Sequence, residues 1–291
     1  MTHFSPAPHA DGPARRKGDA VVGDTTVTDE RNSAGGMSYH QLVDTRYGRM
    51  IVNRHDMFVG RSFLTYGEFS EGEVDFLRGV VRPGMAIVEA GANYGAHSVP
   101  LAQMVGRAGT ILAIEPQRLA YQALCGNLAL NSLPQAYTLQ AAVGAAPGHI
   151  VVPVLDPDAS HNIGGLALGA HQEGERVPQV SMDSLDLPRL DLLKADVEGM
   201  EPEVLIGAVR TIRRHRPLLY LESDRDERRG ELLDLLRANR YDAYWHCPPL
   251  YNPDNYAGCA ENVFGQIVSL NLFCVPREKP FPITDTMVRI S

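Results

Sequence analysis

Four carboxylates stand close together where a predicted strand passes into a predicted helix. They are Asp196, Glu198, Glu201 and Glu203, in the stretch LLKADVEGMEPEVL at 192–205. Carboxylates at such a place suit two roles. One is a general base that takes the proton of an acceptor hydroxyl, and the other is ligation of a divalent cation that orients and acidifies that hydroxyl. The spacing of Asp196 and Glu198 is compatible with both.

Part of this stretch also has a structural explanation. Pro202 suits the first position of a helix, and the last two carboxylates would then lie in a first turn, where the helix dipole stabilises acids. Lys194 and Asp196 lie two residues apart, so an extended backbone points their side chains to the same face. A buried ion pair is therefore the structural alternative for them. We take Asp196 and Glu198 as the catalytic candidates, and as the metal ligands if a metal binds.

A glycine-containing turn is the second feature with chemical potential. The stretch VEAGANYGAHS carries the pattern Glu89-x-Gly91-x-Asn93-x-Gly95. Glycines at such a turn let the backbone approach a ligand, and the helix N-terminus that follows favours polar or anionic groups. Glu115 ends the next predicted strand, 20 residues after Gly95, where a carboxylate can accept both hydroxyls of a ribose. The combination predicts an adenosine-containing ligand, with a plain strand–helix turn as the alternative.

The elements that position these residues alternate along the chain. Strands are predicted at 85–91, 110–116, 136–144, 190–196, 217–223, 241–247 and 266–275, and helices at 96–106, 117–131, 202–215 and 227–240. Such alternation predicts βαβ units and a mostly parallel sheet. The last two strands have no helix between them, so the final strand is free to run antiparallel.

Two further segments flank this series or interrupt it. Residues 40–68 suggest a short hairpin, and a helix is predicted from Ser70, which has capping-box spacing to Glu73. The segments 149–155 and 176–182 look like an inserted β-pair.

At this point the chain resembles the FkbM-type family of S-adenosylmethionine-dependent methyltransferases. The matching pieces are VEAGANYGAHS, ILAIEP, AAVG, LLKADVEGMEPEVL, LLYLES and ENVFGQIVSLNLFCVP. They span about residues 60–276. Family members usually carry Asp where Glu89 stands, so the carboxylate is retained with a reach one methylene longer. The turn also departs from the G-x-G-x-x-G pattern of dinucleotide enzymes.

The resemblance implies an α/β fold with a Rossmann-like, seven-stranded class I methyltransferase sheet, mostly parallel with an antiparallel last strand. It implies methyl transfer, usually to a hydroxyl of a natural-product or sugar-containing acceptor. In that fold the strand ending at Asp196 lies beside the strand ending at Glu89. The cofactor-binding residues implied are Glu89, Gly91, Asn93, Gly95, Ser98, Glu115, Pro116, Ala142 and Asp196.

Four segments follow from these assignments. We expect a disordered tail at 1–36, a hairpin and helix at 37–82, the methyltransferase domain at 83–280 and a C-terminal tail at 281–291.

A long connection before the final strand is the predicted acceptor-binding element. It covers 246–266 and must lie over the rim of the cofactor crevice if the last strand reverses direction. Connections of this length in a compact domain are usually functional or disordered, and Tyr251 and Asn255 suit a polar, ring-containing acceptor. His246, at the end of a strand beside this loop, is a further acid–base candidate, with a structural role as the alternative.

Composition excludes several classes of protein. Lys and Arg number 27 against 35 Asp and Glu, and no basic patch supports nucleic-acid binding. The four cysteines, none in a C-x-x-C spacing, predict reduced thiols. Without a long apolar run or the apolar core of a signal peptide, we expect no membrane span and a cytoplasmic location.

Three functions remain open from the sequence. The leading one is an S-adenosylmethionine-dependent O-methyltransferase, with a divalent cation as an optional second cofactor. The others are a nicotinamide-dependent oxidoreductase on the same scaffold and a catalytically inactive adenosine-binding module. Neither the acceptor nor the oligomeric state is determined by the sequence.

Overall fold

The computed structural model of the protein describes residues 38–162, 164–165, 171–279, 281–282 and 287–290. The disordered tail predicted at 1–36 lies outside the described residues, as does part of the C-terminal tail predicted at 281–291. The boundaries of the four predicted segments therefore stay predictions.

The elements alternate as the sequence predicts. The strands are β1 (His40–Thr45), β2 (Gly48–Asn53), β3 (Ala86–Ala90), β4 (Thr110–Ile114), β5 (Ala136–Leu139), β6 (Ala142–Val143), β7 (Gly148–Val152), β8 (Glu175–Val180), β9 (Leu192–Ala195), β10 (Leu218–Glu222), β11 (Tyr241–His246), β12 (Asn271–Pro276) and β13 (Val288–Arg289). The helices are α1 (Val59–Tyr66), α2 (Glu71–Val80), α3 (Ser98–Val105), α4 (Arg118–Leu130), α5 (Glu201–Ile206), α6 (Val209–His215) and α7 (Asp226–Ala238).

One predicted helix is divided in two. The segment predicted as a single helix at 202–215 forms α5 and α6, separated at Gly207. A Cβ atom at Gly207 would lie 2.2 Å from the carbonyl oxygen of Gly144. The backbone of Gly207 thus approaches the end of β6 too closely for any side chain, and the helix is interrupted where this contact is made.

The central sheet has the order β13-β11-β12-β10-β9-β3-β4-β5. The pairs β10–β9, β9–β3, β3–β4 and β4–β5 are parallel, whereas β12 is antiparallel to both β10 and β11. The predicted α/β class, with a mostly parallel sheet and an antiparallel β12, is confirmed. The unpredicted strand β13 pairs with β11 at the edge and makes the sheet eight-stranded.

Two smaller sheets accompany the central one. The predicted inserted pair is present as antiparallel β7 and β8, and β6 adds to β8 in parallel to make three strands. The predicted N-terminal hairpin is β1–β2. The unpredicted helix α1 lies between this hairpin and α2.

The predicted capping box at the start of α2 is wrong. Ser70 has φ 45° and ψ 51°, in the left-handed region. Its hydroxyl donates to Oε1 of Glu73 at 2.7 Å, so the two side chains bond to each other instead of capping the helix backbone. The carboxylate of Glu73 is consequently held among buried groups at the start of α2.

Buried apolar side chains cover both faces of the central sheet. All four residues of β9 are buried, as expected for a parallel strand with helices on either side. None of the described helices is long and apolar enough to cross a bilayer.

Candidate functional site

A cavity of about 410 Å³ opens at the carboxyl ends of β3, β4, β9 and β10. This is the edge at which ligands bind in open α/β sheets. Of the residues predicted from the sequence, the wall includes Gly91, Asn93, Glu115, Pro116, Ala142, Asp196 and Glu198. The fold therefore brings the glycine turn, the ribose candidate and the carboxylate pair into one cavity.

The glycines of the turn are required by the backbone. Gly91 has φ +81°, and a Cβ atom there would lie 1.7 Å from the carbonyl oxygen of Asp196. Gly95 has φ +86°, and its Cβ would meet Leu124 at 2.9 Å. Gly91 thus allows the end of β3 to lie against the end of β9, which is how the turn and the carboxylates become neighbours.

Glu115 is fixed at the end of β4 by the same turn. One carboxylate oxygen accepts from the backbone N–H of Asn93 at 2.7 Å, and the other accepts from that of Gln117 at 2.8 Å. The side chain is buried, and burial raises its pKa to about 7 against the opposing effect of these two hydrogen bonds. A buried carboxylate held this rigidly in a cavity wall suits the two hydroxyls of a ribose.

Three predicted cofactor residues lie behind the wall. Glu89 is 1% exposed and accepts a hydrogen bond from the hydroxyl of Ser98. Oε1 of Glu89 also lies 3.6 Å from Nζ of Lys194. Gly95 packs against α4 as described above. These three residues pack behind the glycine turn and support it.

The predicted ion pair between Lys194 and Asp196 is present. Lys194 is 1% exposed, and its Nζ lies 3.2 Å from Oδ2 of Asp196. The Asp196 side chain is about one third exposed and belongs to the cavity wall. The structural and the functional readings of Asp196 are therefore compatible, because one oxygen contacts Lys194 while the carboxylate still faces the cavity.

Glu222 completes a cluster of three carboxylates. Oxygens of Asp196, Glu198 and Glu222 lie within 4.8 Å of one another, close enough to share a cation. Burial and then the charges of Asp196 and Asp224 raise the pKa of Glu198 to about 8, although Arg225 opposes this. Burial and the neighbouring carboxylates also raise the pKa of Glu222.

Arg225 offsets part of this negative charge. Its Nη2 lies 2.5 Å from Oε2 of Glu198, and Glu198 adopts φ 57° in the left-handed region. Oε2 of Glu222 has no hydrogen-bond partner among the described residues. Sequence reasoning missed Glu222, although the signal was available: it is the last residue of β10, the strand that follows the Asp196 strand in the chain.

The last two carboxylates of the opening stretch lie in the first turn of α5, as the structural explanation expects. Oε1 of Glu201 accepts from the backbone N–H of Val197 at 2.9 Å. Glu203 pairs with Arg228 at 2.8 Å. Glu201 thus stabilises the connection from β9 to α5, whereas Glu203 joins α5 to α7.

The other three predicted site residues also lie outside the wall formed by the described residues. Nδ1 of His246 lies 2.8 Å from the hydroxyl of Tyr220, and its ring stacks on Phe76 at 4.2 Å. The Tyr251 hydroxyl and the Asn255 amide bond to backbone groups of their own loop. Leu250 of this loop belongs to the cavity wall, as do residues 267–271, which follow the loop.

Glu73 and His97 are wall residues that sequence reasoning did not assign to the site. Glu73 is 4% exposed and His97 5% exposed, and both line the cavity. The capping-box spacing concealed Glu73, because it offered a local explanation for the carboxylate. His97 follows the glycine turn directly, and that position was the signal that could have identified it.

Comparison with protein families identifies a matching family. A model of the family described as "Methyltransferase FkbM domain" matches residues 89–243, more than half of the chain. The match begins at Glu89 and includes the glycine turn, Glu115 and the three clustered carboxylates. No curated protein sequence matches the chain.

Several solved structures are similar to the chain at low identity. One is a methyltransferase FkbM from Methylobacillus flagellatus KT, with 19% identity, a TM-score of 0.46, and coverage of 69% of this chain and 47% of that one. Another is a SAM-dependent O-methyltransferase from Thermotoga maritima, with 14% identity, a TM-score of 0.45, and coverage of 83% and 79%. A third is M. jannaschii TYW2 in complex with AdoMet, with 11% identity, a TM-score of 0.46, and coverage of 88% and 90%. The chain spans about half the length of the FkbM structure that it matches.

Proposed function

The chain belongs to the FkbM family of S-adenosylmethionine-dependent methyltransferases, and we propose that it transfers the methyl group to a hydroxyl of a natural-product or sugar-containing acceptor. Family membership favours this reaction over nicotinamide-dependent redox chemistry and over an inactive binding module. The observation that carries the proposal is the position of Asp196, Glu198 and Glu222 in the cavity that also contains the glycine turn.

The residues of the cavity fit the cofactor. Glu115 would accept the ribose hydroxyls, because its carboxylate is held by two backbone N–H groups and faces the cavity. Pro116 and Ala142 would contact the adenosine on the same side of the wall. The turn at Gly91 and Asn93 presents backbone close to the ligand. When bound, the cofactor supplies an electrophilic methyl group on a positively charged sulfur.

A hydroxyl is a weak nucleophile, so the protein must weaken its O–H bond. Asp196 and Glu198 can act as general bases, because both carboxylates face the cavity. In this role either residue receives the hydroxyl proton on a carboxylate oxygen. The contacts of Asp196 with Lys194 and of Glu198 with Arg225 hold the two carboxylates in place.

A divalent cation is the second candidate for this step. Three carboxylates with oxygens within 4.8 Å repel one another, and this repulsion contributes to the raised pKa values of Glu198 and Glu222. A cation bound by Asp196, Glu198 and Glu222 would relieve the repulsion and use the oxygen of Glu222 that otherwise has no partner among the described residues. It would acidify an acceptor hydroxyl as a Lewis acid.

The acceptor would enter between α1 and the loop before β12. Phe58, Phe69, Leu250 and Val268 give this side of the wall an apolar surface, while the carboxylate cluster supplies polar contacts. Apolar faces with a few polar groups suit a ring-containing hydroxyl compound. In this proposal, Tyr251 and Asn255 shape the entrance by ordering the loop.

Transfer of a labelled methyl group tests the proposal. The protein is incubated with methyl-labelled S-adenosylmethionine and lysate fractions, or with libraries of sugars and polyketides. Label should appear in a product that withstands mild alkali, as methyl ethers do and methyl esters do not. Label found only in esters or amines would refute hydroxyl methylation. Thermal stabilisation by NAD(P) but not by S-adenosylhomocysteine would instead favour the oxidoreductase.

A further inference from the structure

Two buried polar atoms in the cavity wall lack hydrogen-bond partners among the described residues. They are Oε2 of Glu73 and Nε2 of His97. The residues are 4% and 5% exposed, and both line the cavity. Leaving buried polar atoms unpaired is costly, and native structures usually provide a partner. The partner expected here is a ligand, because both residues belong to the cavity wall.

The two atoms form a single subsite. Oε2 of Glu73 lies 3.7 Å from Nε2 of His97, too far for a hydrogen bond between them. The other oxygen of Glu73 accepts from the hydroxyl of Ser70, which itself lies 3.2 Å from Oγ of Ser269. Phe69 packs edge-on against the His97 ring. These contacts fix both side chains and leave one acceptor and one ring nitrogen, in two residues that line the cavity, without a partner among the described residues.

The subsite and Glu115 are held by different elements of the cavity wall. Glu115 ends β4, and the glycine turn follows β3, the neighbouring strand. Glu73 lies on the side of β9, where the charge of Lys194 acts on it. A ligand with its ribose at Glu115 that extends across the turn therefore reaches His97 and Glu73 with its other end. In S-adenosylmethionine that end is an amino acid, with an ammonium and a carboxylate on one carbon.

The charges of the subsite match those two groups. Burial alone would raise the pKa of Glu73, but His97, Lys194 and hydrogen bonds from serines lower it below its usual range, so the side chain is ionised. Burial and Lys194 lower the pKa of His97 to about 4 against the effect of Glu73 and Asp196, so the imidazole is neutral. An ionised carboxylate pairs with an ammonium. A neutral imidazole can donate from Nε2.

The start of α3 adds to the recognition of the carboxylate. His97 is the residue immediately before α3, and Ala96 and His97 both line the cavity. The helix dipole favours an anion at this end, where the N–H of Val99 already bonds to the carbonyl of Gly95 and Pro100 has no N–H. The ligand carboxylate would thus meet the imidazole and the helix N-terminus together.

We propose that Glu73 and His97 bind the amino-acid end of the cofactor, with Glu73 pairing with its ammonium and His97 donating to its carboxylate. The inference rests on the proposed function in that its ligand is S-adenosylmethionine. It assigns to α2, outside the part of the chain matched by the family model, a direct contact with the cofactor. This assignment explains the left-handed backbone of Ser70, because the Ser70 hydroxyl orients the Glu73 carboxylate.

Calorimetry with two ligands tests the proposal. S-adenosylhomocysteine carries the amino-acid end, whereas 5′-methylthioadenosine keeps the adenosine and sulfur but lacks that end. Glu73→Gln and His97→Phe should each weaken S-adenosylhomocysteine at least tenfold and leave 5′-methylthioadenosine within about threefold. Glu115→Gln should weaken both ligands. Glu71→Gln is the matched control, because Glu71 is an equally buried carboxylate on α2 that bonds to Tyr47.

A wild-type measurement keeps the proposal falsifiable if a variant does not fold. S-adenosylhomocysteine acetylated on its α-nitrogen should bind the wild-type protein at least tenfold more weakly than the unmodified ligand. Equal binding would overturn the ammonium assignment, and equal losses for both ligands in the Glu73 and His97 variants would make these residues structural. If the variants weaken only S-adenosylhomocysteine but the labelling screen yields no methyl ether, hydroxyl methylation is refuted and this inference stands. Absence of binding by either ligand would refute the cofactor assignment and this inference together.

Discussion

The ammonium of Lys194 lies beneath the carboxylate of Asp196, with Nζ 3.2 Å from Oδ2. The same nitrogen lies 3.6 Å from Glu89, whose side chain is as buried as that of Lys194. The ends of β3 and β9 are thus joined by one cation between two anions. This arrangement couples the stability of the sheet to the geometry of the candidate site.

Removing that cation should destabilise the protein. Lys194→Met leaves Glu89 buried without its counter-ion, and breaking a buried pair in this way costs about 3–5 kcal/mol. Urea unfolding of the wild type and the variant measures the difference. The double variant Lys194→Met/Glu89→Gln should recover part of the loss, because the uncompensated charge is gone. A loss below about 1 kcal/mol for Lys194→Met, typical of an exposed pair, would show that the ion pair is not buried.

Neutralising the cavity carboxylates should slow methyl transfer. Asp196→Asn and Glu198→Gln keep the shapes of the side chains and remove their charges. We expect at least one variant to fold, to bind S-adenosylhomocysteine normally and to be slower by about 10²-fold or more. Glu203→Gln, which removes a carboxylate that pairs with Arg228, is the control and should retain activity. Full activity in both site variants would leave these carboxylates with a structural role.

A chelator should separate the two candidate roles of the cluster. If a cation acts at the site, EDTA abolishes activity and magnesium or manganese restores it. Glu222→Gln should then raise the concentration of metal needed for half-maximal rate, because it removes one of three ligands. If a carboxylate acts as base, activity is insensitive to EDTA and Glu222→Gln has little effect on the rate.

Cofactor affinity should rise with pH around neutrality. The pKa of Glu115 is raised to about 7 by burial, so the carboxyl is mostly neutral at pH 6 and mostly ionised at pH 8. Only the ionised form accepts hydrogen bonds through both oxygens, and S-adenosylhomocysteine should bind about tenfold more tightly at pH 8 than at pH 6. Glu115→Gln should bind more weakly by more than about 1 kcal/mol at pH 8 and lose this dependence. An unchanged pH profile in the variant would assign the titration to another group.

Ionisation of Glu115 at rising pH has the opposite effect on the stability of the protein without cofactor. Its folded pKa lies above the usual value of 4.5, so its contribution to stability is greatest below that value. The contribution falls as the pH rises towards 7. Thermal unfolding of the wild type and Glu115→Gln without ligand should show a difference between the two proteins that changes across this pH window.

The loop before β12 should affect acceptor use more than cofactor binding. Asn255 is buried, and its side chain makes three hydrogen bonds to the backbone of the loop. Asn255→Ala should therefore disorder the loop, and Tyr251→Ala should do so to a smaller extent. We expect the KM for the acceptor to rise in both variants while S-adenosylmethionine affinity stays within about threefold. Loss of cofactor affinity at unchanged acceptor KM would show that the loop closes on the cofactor.

Sequence patterns predict the parts of the site that lie at the ends of β3 and β4, two strands that follow one another in the chain. The turn at Gly91 and Gly95 and the acid at Glu115 follow from a βαβ pattern, because the strand sequence, the glycines and the acid lie within about 30 residues. Their positive φ values and the position of Glu115 in the cavity wall agree with that reading. The parallel sheet followed in the same way from alternation along the chain.

Three predicted site residues have protein partners that the sequence did not indicate. His246 ends a strand on the correct edge of the sheet, yet its ring is held by Phe76 of α2 and by Tyr220 of β10. Tyr251 and Asn255 have polar groups suited to a ligand, but their own loop uses them. Spacing along the chain does not specify which of several available partners a polar side chain will take.

The sequence by itself determined the order of strands and helices, the glycine turn and the presence of carboxylates at the carboxyl end of β9. These follow from periodicity and from backbone conformations that only certain residues tolerate. The tertiary structure alone decided that Glu222 joins Asp196 and Glu198, and that Glu73 and His97 line the same cavity with atoms that have no hydrogen-bond partner in the described part of the chain. The physical reason is that burial, charge and hydrogen-bond satisfaction are properties of the packed environment, and for these residues that environment comes from segments far apart in the chain.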